Sequence, residues 1–204
     1  MKISVIIPTS NNISYLKLCI ESIIKYSDLE NIEIIVVANG CLDFTSQYIL
    51  SLDDTFKVIN FNSSLGYSQA NNEGIKISKG EYLILLNDDT ILLEQPKNQW
   101  INMLLDPFLK DSRVGISGTA KQHSSIINKD FIIFFCACIK REVIDKVGLL
   151  DEKFTVGGNE DIDYCNRAEN LGYKLVQVPG KIYTDGKQII GGFPIYHKGE
   201  ATVN

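Results

Sequence analysis

The segment Tyr82-Leu83-Ile84-Leu85-Leu86-Asn87-Asp88-Asp89-Thr90 decides the fold. An apolar run this short, bounded by polar residues, reads as a strand buried on both faces, as in a parallel sheet. Its carboxylates then fall where the strand emerges at its carboxyl end, the edge at which open α/β sheets hold ligands. Two acidic residues beside an amide offer oxygen ligands suited to a hard divalent cation, which in turn grips a diphosphate. Asn and Asp are also turn formers, so a solvated turn is the competing reading of these residues alone.

Upstream, Ile3 to Ile7 reads as a strand, and Leu16, Cys19, Ile20, Ile23 and Ile24 recur on one helical face. Ile32 to Ala38 predicts a second strand, followed by a helix from Asp43, whose side chain is suited to cap first-turn amides. Phe56 to Phe61 predicts a third strand, and Gly66 to Ser78 a helix closed by Lys79-Gly80. Strands separated by helices predict parallel pairing, right-handed crossovers and helices on both faces. Downstream the spacing predicts a helix from Gln95 to Leu109 with Pro96 in its first turn. Strands follow at Arg113 to Gly118 and Phe131 to Ile139, then a short helix at Arg141 to Val147. In the helix from Asp161 to Leu171, the positions Ile162, Cys165, Ala168 and Leu171 share a face. Short β segments at Lys174 to Val178, Ile182 to Thr184 and Ile189 to Tyr196 complete the chain, with Gly-rich turns between them.

A length of 204 residues supports one sizeable core. The balance of 20 basic against 25 acidic residues, with no basic block, argues against nucleic acid or an anionic lipid surface as the main partner. Five cysteines without a Cys-x-x-Cys pair fit a reduced, intracellular protein, with Cys136 and Cys138 as buried thiols on one strand face. Pro8 interrupts the first apolar stretch, so no signal peptide is expected, and no run is long enough to span a membrane. The chain ends at Asn204 in no obvious terminal motif, which leaves attachment to a membrane through a partner or a further segment open.

Pro8-Thr9-Ser10-Asn11-Asn12 after strand one and Asn39-Gly40-Cys41-Leu42-Asp43 after strand two either cap the following helices or hydrogen-bond a ligand across the strand ends. Three polar turns at the ends of strands one, two and four surround one crevice. The segment Gly157-Gly158-Asn159-Glu160-Asp161-Ile162-Asp163 opens a helix, where first-turn carboxylates are favoured by the dipole without any further role. Asp161, if it faces the cleft, is also placed to accept a proton from a bound hydroxyl. Asp163 reads equally as a surface residue. A lone histidine is more often structural than a ligand, but Asp89 offers His197 a partner to complete a site. His123, in a polar stretch with the look of a mobile loop, receives no role.

In order along the chain, these residues resemble the inverting glycosyltransferases of family 2, with the GT-A fold. The pieces are Val5-Ile6-Ile7-Pro8-Thr9, Asn39-Gly40 with Asp43 and Thr45, Asn62 through Leu65-Gly66-Tyr67 to Asn71 and Gly74, and Asn87-Asp88-Asp89-Thr90 at the place of an Asp-x-Asp element. Lys140-Arg141-Glu142-Val143, Val147-Gly148, Leu150-Asp151-Glu152-Lys153-Phe154 and Glu160-Asp161-Ile162-Asp163 with Arg167 follow. Each piece is weak and the ordered set is strong. The resemblance implies one α/β domain over 1–204, a Rossmann-like, mostly parallel sheet with helices on both faces and a smaller mixed β region in the C-terminal half. Residues 1–90 would form the nucleotide-sugar half and 91–204 the acceptor half.

By the same resemblance, Asp89 would bind Mn2+ or Mg2+ on the nucleotide diphosphate, with His197 a further ligand and Asn87 and Asp88 near the ribose or donor sugar. Pro8, Thr9, Asn12 and Asn39 would line the nucleotide pocket, Asn71 would lie on the ribose side, and Asp161 would be the base. The donor implied is a UDP-sugar and the acceptor a glycan, lipid-linked or protein hydroxyl, in glycan or polysaccharide biosynthesis. The expected setting is cytoplasmic, peripheral to the inner face of a membrane. Ala38 stands where many relatives carry an aspartate that contacts the base, which weakens the uridine expectation, and Asn87 replaces the first aspartate of the metal element. A sugar nucleotidyltransferase is a rival, although Pro8 to Asn12 lacks the Gly and Lys such enzymes use for triphosphate. A non-catalytic module of the same fold is another, opposed by the presence of both Asp89 and Asp161.

Overall fold

The computed structural model describes residues 2–52, 54–154, 158–179, 181–184, 187–190 and 193–199. The first four strands are β1 (Ile3–Thr9), β2 (Ile32–Asn39), β3 (Phe56–Phe61) and β4 (Tyr82–Leu86). Between them lie α1 (Ile13–Tyr26), α2 (Thr45–Leu50) and α3 (Tyr67–Ile77). β1 pairs in parallel with both β2 and β4, and β2 with β3, as alternation of strand and helix predicts. Pro8 donates no amide, and it follows the last β1·β4 pair, Ile6 with Leu85.

The later elements are β5 (Thr90–Leu92), α4 (Gln99–Lys110), β6 (Val114–Gly118), β7 (Lys121–Ser124), β8 (Lys129–Ile132), β9 (Cys136–Lys140) and α5 (Arg141–Val147). Then come α6 (Glu160–Asn170), β10 (Lys174–Gln177), β11 (Lys181–Thr184), β12 (Lys187–Ile190) and β13 (Ile195–His197). Among the described residues one seven-stranded sheet runs β10-β6-β9-β4-β1-β2-β3, with β9 antiparallel to both neighbours. It therefore draws strands from both halves of the chain. A four-stranded sheet, β12-β11-β13-β5, and the β7-β8 hairpin flank it.

Strand alternation divides the core into two layers. Val5, Ile7, Ile34, Val36, Ile84 and Leu86 face Leu16, Ile20, Ile23, Trp100 and Leu104 on one side. Ile6, Ile35, Val37, Leu83 and Leu85 face Ala70, Ile75, Val143, Tyr164 and Cys165 on the other. Cys136 and Cys138 are buried in the first layer, on one face of β9 as expected. All five cysteines are free thiols.

Three expectations need correction. The run Phe131 to Ile139 is not one strand: it breaks at 133–135, where the backbone bonds elsewhere, Ile133 N–H to Ala120 C=O at 3.0 Å and Phe135 C=O to Asn87 N–H at 2.9 Å. An unbroken apolar run hides such a break. Helix α4 starts at Gln99 and not near Gln95, because Asn98 turns left-handed (φ 64°) and is tied to the end of α1. Its N–H donates to Tyr26 C=O and its Oδ1 accepts from Asp28 N–H, each at 2.8 Å. His123 lies on strand β7 and pairs with Asp130 at 3.0 Å, so its stretch is a hairpin and not a mobile loop. In addition Leu171 follows the end of α6 and is exposed, leaving the shared face to the three positions before it.

Candidate active site

The turn after β4 is held from below. Thr90 Oγ1 donates to Asn87 C=O at 2.7 Å, and the Cys19 thiol on α1 lies 3.7 Å from Thr90 Oγ1. Burial raises the Cys19 pKa to about 12, so this thiol is a packing group. Asp88 and Asp89 are both buried. β5 follows at once and pairs antiparallel with β13, which sets His197 opposite Thr90. Lys198 N–H then donates to Asp89 C=O at 3.0 Å. As a result Asp89 Oδ1 and His197 Nε2 stand 3.2 Å apart, both buried and neither in an aligned hydrogen bond.

Thr9 and Asn12 flank Asp88. Burial raises the Asp88 pKa to about 7, against the opposing pull of the Thr9 and Asn12 side chains. Asn12 does not cap α1 with its side chain, so the capping reading of this turn is not realised. Asn11 instead turns left-handed (φ 51°) and accepts from Leu42 N–H at 2.6 Å, joining the first loop to the second. Asp43 does serve the start of α2, accepting from Thr45 N–H at 2.9 Å.

Asn39 is used internally: its Oδ1 accepts from Leu65 N–H at 2.6 Å and its Nδ2 donates to Gly66 C=O at 3.4 Å. It holds the loop before α3, and Gly40 beside it permits the close approach. A Cβ on Gly40, at φ +69°, would lie 2.2 Å from Ser64 N. Asn71 is fully buried; its Nδ2 donates to Tyr67 C=O at 3.0 Å while its Oδ1 has no partner.

Of the ten buried side-chain polar atoms without a hydrogen-bond partner among the described residues, seven belong to residues given a candidate site role from the sequence. They are Thr9 Oγ1, Asn12 Nδ2, Asn71 Oδ1, Asn87 Oδ1, Asp88 Oδ2, Asp89 Oδ1 and His197 Nε2. An unpaired buried polar atom costs about 1–3 kcal/mol, so such atoms are rare in a fold that has no use for them. Six of the seven lie at the ends of β1 and β4 and on His197, which β13 sets opposite Thr90.

Asp161 lies in the first turn of α6, after Asn159 in left-handed conformation (φ 72°). Burial, then the Glu160 charge, raises its pKa to about 6 despite nearby backbone amides that include that of Phe134. Glu160 serves the helix start, accepting from Gly158 N–H. Asp163 pairs with Arg167 at 2.8 Å, and Arg167 also donates to the carbonyls of Val147 and Leu149, so Asp163 is structural. Of the loop expected at 156–159, residues 156 and 157 lie outside the described residues.

The sequence reading named Tyr67 without giving it a role and did not single out Phe135. Tyr67 donates its hydroxyl to Phe134 C=O at 3.0 Å. Its pKa is raised well above the ordinary phenol value by burial, then by Glu160, Asp161 and Asp89, so it sits within the field of both acidic groups. Phe135 stacks on His197. An aromatic pair hidden in an apolar run carries no sequence signal of such a contact.

The fold has counterparts. A mannosyltransferase from Pyrobaculum calidifontis, PcManGT, solved with GDP-Man and Mn2+, superposes with a TM-score of 0.72 at 18% identity over 93% of this chain and 56% of its own. GalNAc-T7, solved with UDP, GalNAc and Mn2+, superposes with a TM-score of 0.74 at 16% identity over 97% of this chain and 44% of its own. Both are GT-A glycosyltransferases, and this chain has their fold. Glycosyltransferase GlyG of Streptococcus pneumoniae serotype 4 is 36% identical over 95 residues, 45% of this chain and 31% of GlyG. The chain spans about a third or less of the length of such curated relatives. The model of glycosyl transferase family 2 matches residues 4–132, from β1 through the loops and turn that carry the unpaired atoms to the end of β8, and on that match the chain belongs to this family of glycosyltransferases.

Proposed function

We propose that this chain transfers a sugar from a nucleotide-diphosphate sugar to a hydroxyl acceptor, with inversion at the anomeric carbon and dependence on a divalent cation. The observation that carries the reading is the cluster of buried polar atoms without an aligned hydrogen bond at the carboxyl ends of β1 and β4, with His197 set beside them by β13. Asp89 Oδ1 and His197 Nε2 fit a cation: ligands at right angles on bonds of about 2.1 Å stand about 3 Å apart, close to the observed 3.2 Å. Among the described residues no third acidic, histidine or cysteine side chain joins them, which leaves positions for diphosphate oxygens. When bound, Mn2+ or Mg2+ would act as a Lewis acid offsetting charge on the leaving diphosphate.

Thr9, Asn12, Asn87 and Asp88 offer the donor hydrogen-bonding groups, with Pro8 forming the wall beside them and Asn71 reaching from α3. Asn39 acts by holding the loop at Leu65 and Gly66 and not by direct contact. Asp161 takes the proton of the acceptor hydroxyl as that oxygen attacks the anomeric carbon. The carbon–oxygen bond to the diphosphate breaks with its electron pair, and no covalent sugar–protein intermediate is needed. Ala38, buried and without a carboxylate, leaves the base pocket less tied to uridine than a UDP-sugar donor would favour.

We read residues 1–204 as one unit, with a donor-side half at 1–90 and an acceptor-side half at 91–204. No helix among the described residues is long and apolar enough to cross a membrane. The five free thiols support a reducing, cytoplasmic setting, at the inner face of a membrane for a lipid-linked acceptor in glycan or polysaccharide synthesis. The test is thermal stabilisation by a panel of nucleotide-sugars with and without Mn2+. One donor that raises the melting temperature only with the cation is the expected result. A folded protein that responds to none overturns it.

A further inference from the structure

The segment 147–154, between α5 and α6, is bonded residue by residue to two helices. Its first three carbonyls are held by α6. Those of Val147 and Leu149 accept Arg167 Nη1 and Nη2 at 3.1 and 3.0 Å, and that of Gly148 accepts the Tyr164 hydroxyl at 3.1 Å. At Leu150 the holding helix changes. Asn72 of α3 accepts the Leu150 N–H at 3.0 Å and donates to the Leu150 C=O at 2.9 Å. Its Nδ2 also donates to Glu152 Oε1 at 3.0 Å, and Ser68, one turn earlier on α3, donates to Phe154 C=O at 3.2 Å. Asn72 is fully buried with its whole amide in use, whereas its neighbour Asn71 leaves Oδ1 unpaired. Helix α3 is itself fixed on the sheet, since a Cβ at Gly74 would lie 2.5 Å from Ile6 Cγ2 on β1.

We propose that Asn72 is a positioning residue for the base: by pinning Leu150 to α3 it ties down the strut that Tyr164 and Arg167 grip, and so sets where α6 carries Asp161 relative to the donor edge. The inference rests on the reading of Asp161 as the base, and it adds a residue that touches neither donor nor acceptor. Asp161 lies in the first turn of α6, less than one turn before Tyr164, so a strut bonded to Tyr164 and Arg167 acts on the helix end that bears the carboxylate. Without the Asn72 amide, the N–H and C=O of the buried Leu150 both lose their partner, and the segment must turn to pair them elsewhere. The other side of α6 keeps its own hold, where Ile132 N–H of β8 donates to Cys165 Sγ at 3.4 Å. The helix therefore stays docked and pivots at that contact. A displacement of about 1 Å at a reacting group is enough to cost about 100-fold in rate, so a small pivot matters.

The test needs no substrate. Residual dipolar couplings of backbone N–H groups in the weakly aligned full chain give the direction of α6 relative to α3 and to β1, β2 and β4. In Asn72→Ala, α6 should turn by about 10° or more, the tolerance within which a site must be held, while α3 and the three strands keep one common frame. Arg167→Met cuts the same strut at its α6 end and should turn α6 as well. Glu33→Gln loosens the opposite edge of the sheet without touching the strut, and should leave α6 in place. Affinity for UDP or GDP with Mn2+ should match the parent's in Asn72→Ala, because Asn72 faces the strut and not the donor. The inference is overturned by a parent-like direction of α6 in Asn72→Ala or, where that variant does not fold, in Arg167→Met. An equal turn of α6 in Glu33→Gln overturns it too, as does loss of nucleotide affinity in Asn72→Ala, which would make Asn72 a donor residue. Transfer assays on Asp161→Asn bear separately on the base: retained turnover there sinks the base reading, whereas the couplings report the strut whichever group is the base.

Discussion

The imidazole of His197 lies flat on the ring of Phe135, with centroids 4.1 Å apart and planes 6° from parallel. The stack holds the imidazole in the plane that directs Nε2 at Asp89, while the β5·β13 ladder holds its backbone. Phe135 is buried and its carbonyl also accepts Asn87 N–H, so the same residue supports the histidine and the turn after β4.

Phe135→Leu keeps the apolar volume and the backbone bond but removes the flat surface. The expected result is a three- to tenfold weaker binding of UDP or GDP in the presence of Mn2+, with little change in its absence. Isothermal titration calorimetry checks this. Affinity equal to the parent's under both conditions would show that the ladder alone orients His197.

Asp89→Ala and His197→Ala remove the two buried donors that face each other. Each should weaken Mn2+-dependent nucleotide binding by about tenfold or more, the range in which loss of ligands and their supports falls. Chelation of the cation in the parent should reproduce the defect. Unaltered nucleotide affinity in Asp89→Ala with Mn2+ present would remove the metal assignment.

Asp161→Asn should lower transfer by about 100-fold or more while leaving nucleotide binding within twofold, because the base acts on the acceptor. In the parent, transfer should fall about tenfold per pH unit below the Asp161 pKa of about 6, since only the carboxylate accepts a proton. The same shift carries a stability sign. The folded-state pKa is raised from 3.8, so the folded protein holds the extra proton between about 4 and 6, and the cost of the buried charge is fully present only above 6. Asp161→Asn should therefore stabilise the protein by about 1–3 kcal/mol at pH 7, a gain that vanishes near pH 4. Melting curves across that range decide it, and a variant less stable at pH 7 would contradict the assignment.

At the opposite, amino edge of the sheet, Glu33 is buried among Ser4, Lys57 and the Lys79 amide. Burial would raise its pKa, but Lys57, Ser4 and that amide outweigh it and bring the value down to about 2. A depressed folded-state pKa means stabilisation that is present above the unfolded value of 4.5 and lost as pH falls toward 2. Glu33→Gln should cost about 1–3 kcal/mol at pH 7 and flatten the acid limb of unfolding between pH 4 and 2. Its nucleotide affinity should match the parent's. Equal stability at pH 7 would show that the knot contributes nothing net.

Tyr82 to Thr90, Phe56 to Phe61 and Arg141 to Val147 are elements or turns whose limits follow from apolar runs and their polar ends. Local chemistry is enough for β4, because a strand buried on both faces has no polar residue to spare and the break in composition is abrupt. The same logic led to the polar loops at the carboxyl ends of β1, β2 and β4, and so to half of the buried polar atoms that lack a partner among the described residues. The sequence by itself thus determined the parallel layering, the ligand edge and the candidate carboxylates. Only the tertiary structure decided which of those groups are free and which are occupied. Asn39 and Asn12 are the same residue type, yet the first is bonded to the loop at Leu65 and the second leaves its buried Nδ2 without a partner, while Asp163 is tied to Arg167 and its neighbour Asp161 is not. The break at 133–135, the stack of Phe135 on His197 and the bond from Tyr67 to Phe134 join segments far apart in the chain. Such contacts depend on how strands and helices meet in space, and local spacing holds no record of them.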